Sequence, residues 1–189
     1  MKYPNNIKKN YTKIDNHANR GMDLEQIINV TNEYYINNDI AHIYKKPTPI
    51  GVVKVDYSNK NRIVDAYFKE PSTLDYNGIY RGYYIEFDAK VTQNKTAFPL
   101  NNIHSHQLLH IINIDKHNGI VFLIILINDK FYLLPGKVLL NFIDNNSRKS
   151  IPYDFIKNNA YEIQYNYLKG LDYLKVIDKL IGVDNNAKN

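Results

Sequence analysis

From Asp23 to about Asn38, the residues Leu24, Ile27, Ile28, Thr31, Tyr34 and Tyr35 recur at helical spacing, which predicts an amphipathic helix with Asp23 at its N-cap and Gln26 three residues on. Short strand-like runs follow at 40–44, 50–57 and 62–68. Pro47 and Pro49 separate the first two, and the turn-forming stretch Ser58-Asn59-Lys60-Asn61 makes the last two a hairpin. Past a turn that carries Asp75 and Gly78, apolar and polar residues alternate from Tyr84 to Lys90. Successive side chains of a strand point to opposite faces, so Glu86, Asp88 and Lys90 project together while Ile85, Phe87 and Ala89 face the other way. Residues 96–100 read as a loop, and 103–116 as a helix with Leu108, Leu109, Ile111 and Ile112 apolar and Gln107 in its first two turns. The continuous apolar run 119–127 predicts a strand buried on both faces, turned by Asn128-Asp129 into a second strand at 130–134. Helical patterns at 136–143 and 171–181 close the chain. The simplest assembly of these pieces is an α/β fold, a mixed central sheet flanked by helices.

The length, 189 residues, suits one domain with a real core. Residues 1–18 are polar, carry Lys2, Lys8, Lys9 and Lys13, and read as a flexible basic arm. The folded domain is expected over 19–182, with the hairpin inserted at approximately 45–70 and a polar tail at 183–189. A formal charge of +5 favours an acidic partner such as nucleic acid without identifying one. The absence of cysteine excludes disulfides and thiolate metal sites. The longest apolar run, Ile120 to Ile127, is too short to span a bilayer, so a cytoplasmic protein with no membrane partner is the expectation. Charge and rings concentrate around the hairpin. Lys45, Lys46, Lys54, Lys60, Arg62 and Lys69 could track phosphates, and Tyr57, Tyr67 and Phe68 could stack on bases or pack within the hairpin.

The segment 73–90, TLDYNGIYRGYYIEFDAK, places two carboxylates and a lysine in an order that suits metal-dependent cutting of a phosphodiester. Mg²⁺ takes oxygen ligands and keeps several waters, so Asp75 and Asp88 could hold one ion against a phosphate. Lys90 beside them would orient or activate a water and offset the charge that builds on the phosphate. The spacing alone also fits an edge strand with a solvated charged face. Glu25, in the first turn of the first helix, is either an acid near the metal or a favourable helix-dipole charge. Glu86 is a lesser candidate for supporting the ligands. His106 and His110, at i and i+4, raise a zinc alternative, Arg20 meets DNA or a salt-bridge partner, and Arg81 reads as a phosphate contact. Nothing resembles a nucleophile elbow or a phosphate-binding glycine loop.

Six blocks occur in the order and spacing of one family: NRGMDLEQ at 19–26, KKPTP at 45–49, TLDYNGIYRG at 73–82, FDAK at 87–90, TAFPL at 96–100 and HSHQ at 104–107. Together they resemble the RecU Holliday-junction resolvases, a branch of the restriction-endonuclease-like PD-(D/E)xK fold, over roughly residues 19–180. The resemblance implies that Thr73, Asp75, Asp88 and Gln107 hold the metal and that Lys90 stabilises the transition state. Asp88 stands where the family more often has glutamate. It implies a protruding stalk at the hairpin that occupies the centre of branched DNA, where Lys45, Lys46, Lys54, Lys60, Arg62, Phe68 and Lys69 would meet it, with Arg20 and Arg81 nearby. It further implies a homodimer that uses Mg²⁺, with Mn²⁺ as a substitute, to resolve four-way junctions by paired symmetric nicks during recombination and repair. Recombinase and branch-migration proteins are the implied protein partners. Two alternatives stay open, a nuclease of the same fold acting on linear duplex and a junction-binding scaffold that no longer cuts.

Overall fold

The structure is a computed structural model that describes residues 23–69, 73–166 and 168–183. The expected basic arm, Arg20 and nearly all of the polar tail lie outside the described residues. The alternating segment forms β5 (Tyr83–Val91), and it is an interior strand. Its antiparallel neighbour β4 (Tyr76–Tyr80) precedes it, and β7 (Ile120–Ile127) runs parallel to it on the other side. Beyond β4 lies β1 (His42–Lys45), and beyond β7 lie β8 (Lys130–Pro135) and β10 (Tyr161–Ile163), which completes a six-stranded sheet in the order β1-β4-β5-β7-β8-β10. Only the β5–β7 pair is parallel, and the crossover between them carries α2 (Ser105–Lys116).

Because the sheet is covered on both faces, two cores form. On one face α1 (Leu24–Asn37) and α5 (Leu174–Leu180) bury Leu24, Ile28 and Ile177 against Ile85, Phe87 and Phe122. On the other, α2 packs with α3 (Gly136–Asn145) and α4 (Tyr153–Asn159), burying Ile111, Leu139 and Ile156 against Val121, Leu123 and Ile125. Phe87 anchors the first core, with its ring stacked between Tyr76 at 4.8 Å and Phe122 at 4.7 Å and tilted against Tyr173 at 5.3 Å. The predicted mixed sheet flanked by helices is therefore the observed architecture. Among the described residues no helix is long and apolar enough to cross a membrane.

The hairpin appears where expected, as β2 (Ile50–Asp56) paired antiparallel with β3 (Arg62–Phe68) in a separate two-stranded sheet. At its tip Lys60 and Asn61 both take positive φ, 52° and 57°, and the Arg62 amide donates to the Asn59 carbonyl, the pattern of a tight two-residue turn whose twist suits a hairpin. Every residue of β3 is exposed, and Tyr57 and Phe68 are about four-fifths exposed, so these rings stay outside any core of the single chain. Tyr67 instead lies over Gly51 on the opposite strand, where a Cβ would collide with its ring.

Several local expectations change. Asp75 does not sit in a glycine turn, because Gly78 is a mid-strand residue of β4. There a Cβ would strike the His42 carbonyl and the backbone of β1, so glycine is required by the close approach of two strands. The turn lies further on, at Arg81 and Gly82, both with positive φ. The last helix starts at Leu174 rather than 171, since Gly170–Leu171 form β12, paired with β11 (Tyr165–Asn166), and the Leu171 amide donates to Thr31 Oγ1 at 2.9 Å. The short elements β6 (Ala97–Pro99), its partner β9 (Ser150–Pro152), α4 and β10 carry too little periodicity to be predicted.

Replacing Phe87 with alanine should cost about 3–5 kcal/mol, the usual range for removing a fully buried aromatic ring. Urea unfolding of the variant and the parent measures it. A loss under 1 kcal/mol would show that the three-strand ring stack is not where the sheet draws its stability.

Candidate active site

Three charged side chains stand on the α2 face of β5, at Glu86, Asp88 and Lys90, where their strand partners on β7 are the core residues Val121, Leu123 and Ile125. Glu86 and Asp88 are fully buried, which removes the alternative of a solvated edge strand. A buried charge must be paired or it is strongly disfavoured, so the partners of each group define the site.

Asp88 is only partly compensated. Its Oδ2 accepts from the Gln107 side-chain amide and lies 3.1 Å from Lys90 Nζ, while its Oδ1 is buried with no hydrogen-bond partner among the described residues. Burial pushes its carboxyl up to about 6; Lys90 pulls it down, and the neighbouring Asp75 adds to the rise. Two carboxyl groups thus crowd one spot, a like-charge pair that a cation relieves. Asp75, half-buried, enters the spot from the start of β4, and its carbonyl accepts the Lys46 amide at 2.7 Å. Thr73, also half-buried, stands two residues earlier.

Gln107 enters from the first turn of α2. Its Oε1 accepts both the His104 amide and Lys90 Nζ, each at 3.1 Å, so one side chain caps the helix and orients the lysine beside Asp88. The structure brings Asp75, Asp88, Lys90 and Gln107 together, and Thr73 precedes Asp75 by two residues. Among the described residues no three His, Asp or Glu side chains converge as ligands. A metal held here would rely on the two carboxylates, neutral oxygens of Thr73 and Gln107, and water. That set suits a hard cation with several retained waters, and the orphaned Asp88 Oδ1 supplies a free acceptor for it.

Glu86 is compensated fully. It accepts from Lys46 Nζ, from the Leu74 amide at 3.3 Å and from the Tyr84 hydroxyl at 2.5 Å, and it meets His110 Nε2 at 2.8 Å. Burial raises its carboxyl, but the hydrogen bonds of Lys46, Tyr84 and His110 outweigh that and hold it below the ordinary value. Lys46 is therefore engaged internally rather than offered to phosphate. The same holds in part for Lys45, which pairs with Glu25 at the start of α1, both side chains remaining about 40% exposed. Glu25, Asp75 and Asp88 all act electrostatically on Tyr76, which puts Glu25 at the site's end of the sheet.

Arg81 is not near this site. It lies past the far end of β4 from Asp75, and its Nε donates to Asp178 Oδ1 and the Tyr80 hydroxyl, each at 3.0 Å. His110 turns to Glu86 instead of pairing with His106, whose ring stacks on His104. Lys54, Lys60, Arg62 and Lys69 are exposed on the hairpin or at its end and form no ion pair with a described residue. The Lys46 and His110 contacts to Glu86 were not legible, because 40 and 24 residues separate the partners. The Tyr84 contact follows from same-face spacing on the strand.

A carboxyl raised in the folded chain holds its proton more tightly there than when unfolded. In metal-free protein, Asp88 thus favours the fold fully below pH 3.8, and that contribution fades as the pH rises through about 6. The Asp88→Asn variant should lack this loss, so its stability relative to the parent should rise across that window by on the order of 2–3 kcal/mol. Denaturant unfolding in chelator at pH 4 and pH 7 measures it, and a pH-independent difference would place Asp88 in a more polar setting.

Residues 19–179 match the family described as Recombination protein U. The Holliday junction resolvase RecU of Staphylococcus aureus (strain JH9) is 50% identical over 172 residues, covering 87% of this chain and 83% of the relative. That of Oceanobacillus iheyensis is 47% identical over 194 residues, covering 95% and 99%. Among solved structures, Archaeoglobus fulgidus Hjc, a Holliday junction resolvase, aligns with a TM-score of 0.42 and 7% identity, covering 69% of this chain and 90% of that one. On its match over most of its length and its identity to full-length relatives, the chain belongs to the RecU family.

Proposed function

We propose that this protein is a Mg²⁺-dependent endonuclease that resolves four-way DNA junctions, working as a homodimer whose two-fold symmetry matches that of the junction. The observation that carries the proposal is the orphaned, buried Asp88 Oδ1 beside Asp75, with Lys90 3.1 Å from the same carboxylate, at the foot of an exposed hairpin. Mn²⁺ would substitute, as it accepts the same oxygen donors.

Asp75 and Asp88 would hold the ion, with Thr73 and Gln107 completing the protein's share of its shell. The bound ion supplies Lewis acidity at the phosphate and a lowered pKa for a coordinated water. Lys90, kept beside Asp88 by the Gln107 carbonyl oxygen, is placed to donate to the phosphate oxygen on which charge builds. The core face of β7 keeps bulk water away from beneath the pair. The hairpin leaves the main sheet between β1 and β4, next to Asp75, so DNA engaged by it is held close to the carboxylates. That placement favours the junction over linear duplex, whose recognition has no use for a basic projection with exposed rings. The intact carboxylates and lysine argue against a non-cutting scaffold. Recombinase and branch-migration partners, and a cytoplasmic setting, belong to this reading through the family.

A gel comparing four-way junction with linear duplex, with and without Mg²⁺, tests the proposal. Metal-dependent cutting confined largely to the junction is expected, and equal cutting of duplex would move the assignment to a duplex nuclease. Asp75→Ala and Asp88→Ala should abolish cleavage and leave junction binding intact or slightly improved, since an anion near phosphate is removed. Lys90→Ala should lower the single-turnover rate by about 10²–10³-fold with little change in metal affinity. A rate within a few-fold of the parent would take Lys90 out of the mechanism.

Deleting residues 58–62, or replacing Phe68 and Lys69 together with alanine, should reduce junction affinity far more than duplex affinity. Exposed rings gain stacking partners only where bases are unpaired. The ratio of the two affinities at one salt concentration is the measurement. An unchanged ratio would leave the hairpin a purely structural role.

A further inference from the structure

Glu86 is buried on the same face of β5 as Asp88, yet both its oxygens already have partners in its own chain, so neither is orphaned as Asp88 Oδ1 is. What distinguishes it is where its partners come from. Lys46 is the first residue after β1, where the chain leaves for the hairpin. Leu74 lies where the chain returns, between Thr73 and Asp75, and it offers its backbone amide. His110 lies on α2 one turn beyond Gln107, on the same side of the helix, since residues three apart are neighbours on a helix surface. Tyr84 comes from β5 itself.

Oε1 alone meets Lys46, the Leu74 amide and His110. One oxygen thus gathers both stems of the hairpin and the helix that carries Gln107 onto the strand that carries Asp88. The Leu74 amide fixes the backbone between Thr73 and Asp75. No other side chain among the described residues is hydrogen-bonded to all of these segments. A purely local ion pair would need only Lys46, and burying a carboxylate is costly enough that such a pair alone adds little stability.

We propose that Glu86 is a positioning residue that sets the spacing of the metal-holding groups by tying the hairpin stems and α2 to β5. It acts through Leu74, Lys46 and His110 and does not touch the ion or the DNA. The proposal rests on the reading that Asp75 and Asp88 hold the metal. Removing the charge of Glu86 frees the returning stem at Leu74, lets Asp75 drift from Asp88, and leaves Lys46 without its buried partner. Groups that orient metal ligands from behind typically matter by 10–100-fold in metal affinity or activity, and that is the size of effect expected.

The test is Mn²⁺ binding by calorimetry on the full chain without DNA, together with amide hydrogen exchange at Leu74. Glu86→Gln keeps the shape and removes the charge. It should bind Mn²⁺ at least 10-fold more weakly and exchange the Leu74 amide faster, while junction affinity in chelator stays within threefold of the parent. Phe87→Leu is the control, because it loosens the same strand from its opposite face. It should lower stability without moving Mn²⁺ affinity or Leu74 exchange. If Glu86→Gln does not fold, Lys46→Met decides in its place, with the same weakened Mn²⁺ binding and faster Leu74 exchange expected. Mn²⁺ affinity within threefold of the parent in whichever variant is read would overturn the proposal, as would an equal loss in Phe87→Leu. Asp88→Ala separates the two levels of inference. If it binds Mn²⁺ like the parent, the metal site itself is misplaced; if it loses Mn²⁺ while Glu86→Gln does not, only the role of Glu86 falls.

Discussion

Charge buried on the middle strand of a sheet has to be matched by charge or hydrogen bonds brought from elsewhere, and the arrangement around β5 follows from how that is done. Glu86 is matched completely, by groups from four segments. Asp88, two residues on, is left with one oxygen unpaired and with Asp75 against it. Similar carboxyl groups on one face are thereby driven apart, the first below its ordinary proton affinity and the second up to about 6. The first organises the protein, and the second is the one left able to accept a cation. Environment rather than residue type assigns the roles.

The same constraint sorts the cations. Lys46 and Lys90 lie within the body and are held by Glu86 and Asp88, and Lys45 pairs with Glu25. The hairpin strands and their flank carry Lys54, Lys60, Arg62 and Lys69 against Asp56, Asp65 and Glu70, and Asp56 is turned to Ser58 within the tip. The projection thus offers four unpaired cations outward, as do other exposed stretches such as Arg148 and Lys149, and the formal excess over the whole chain is modest. A net charge alone says little about a partner; unpaired cations interleaved with exposed rings on one hairpin say more.

Much of this was legible in the sequence. The alternation from Tyr84 to Lys90 gave the strand and the shared face of Glu86, Asp88 and Lys90, and the turn residues at 58–61 gave the hairpin. The failures have physical causes. In the sequence Gly78 suggests a turn because glycine permits one, whereas in the fold it answers the close approach of β1. Arg81, six residues past Asp75, is close to the site in sequence. An extended β4 carries it away by about 3.4 Å per residue, so proximity in sequence became distance in space. Partners 97 residues apart, as for Arg81 and Asp178, leave no local pattern.

The position of the hairpin in the chain matters as much as its composition. It is inserted between β1 and β4, which are neighbours in the main sheet, so it leaves and returns at one end of the sheet, the end at which β4 begins just after Asp75. Inserted instead at the Arg81–Gly82 turn, the same sequence would project from the opposite end, away from the carboxylates. The chain on either side of the insertion bears Lys46 and Leu74, the partners of Glu86, so the backbone next to Asp75 is held to the strand that carries Asp88. Asp75, whose carboxyl adds to the rise of Asp88, is thus the next residue after the Leu74 amide that Glu86 holds.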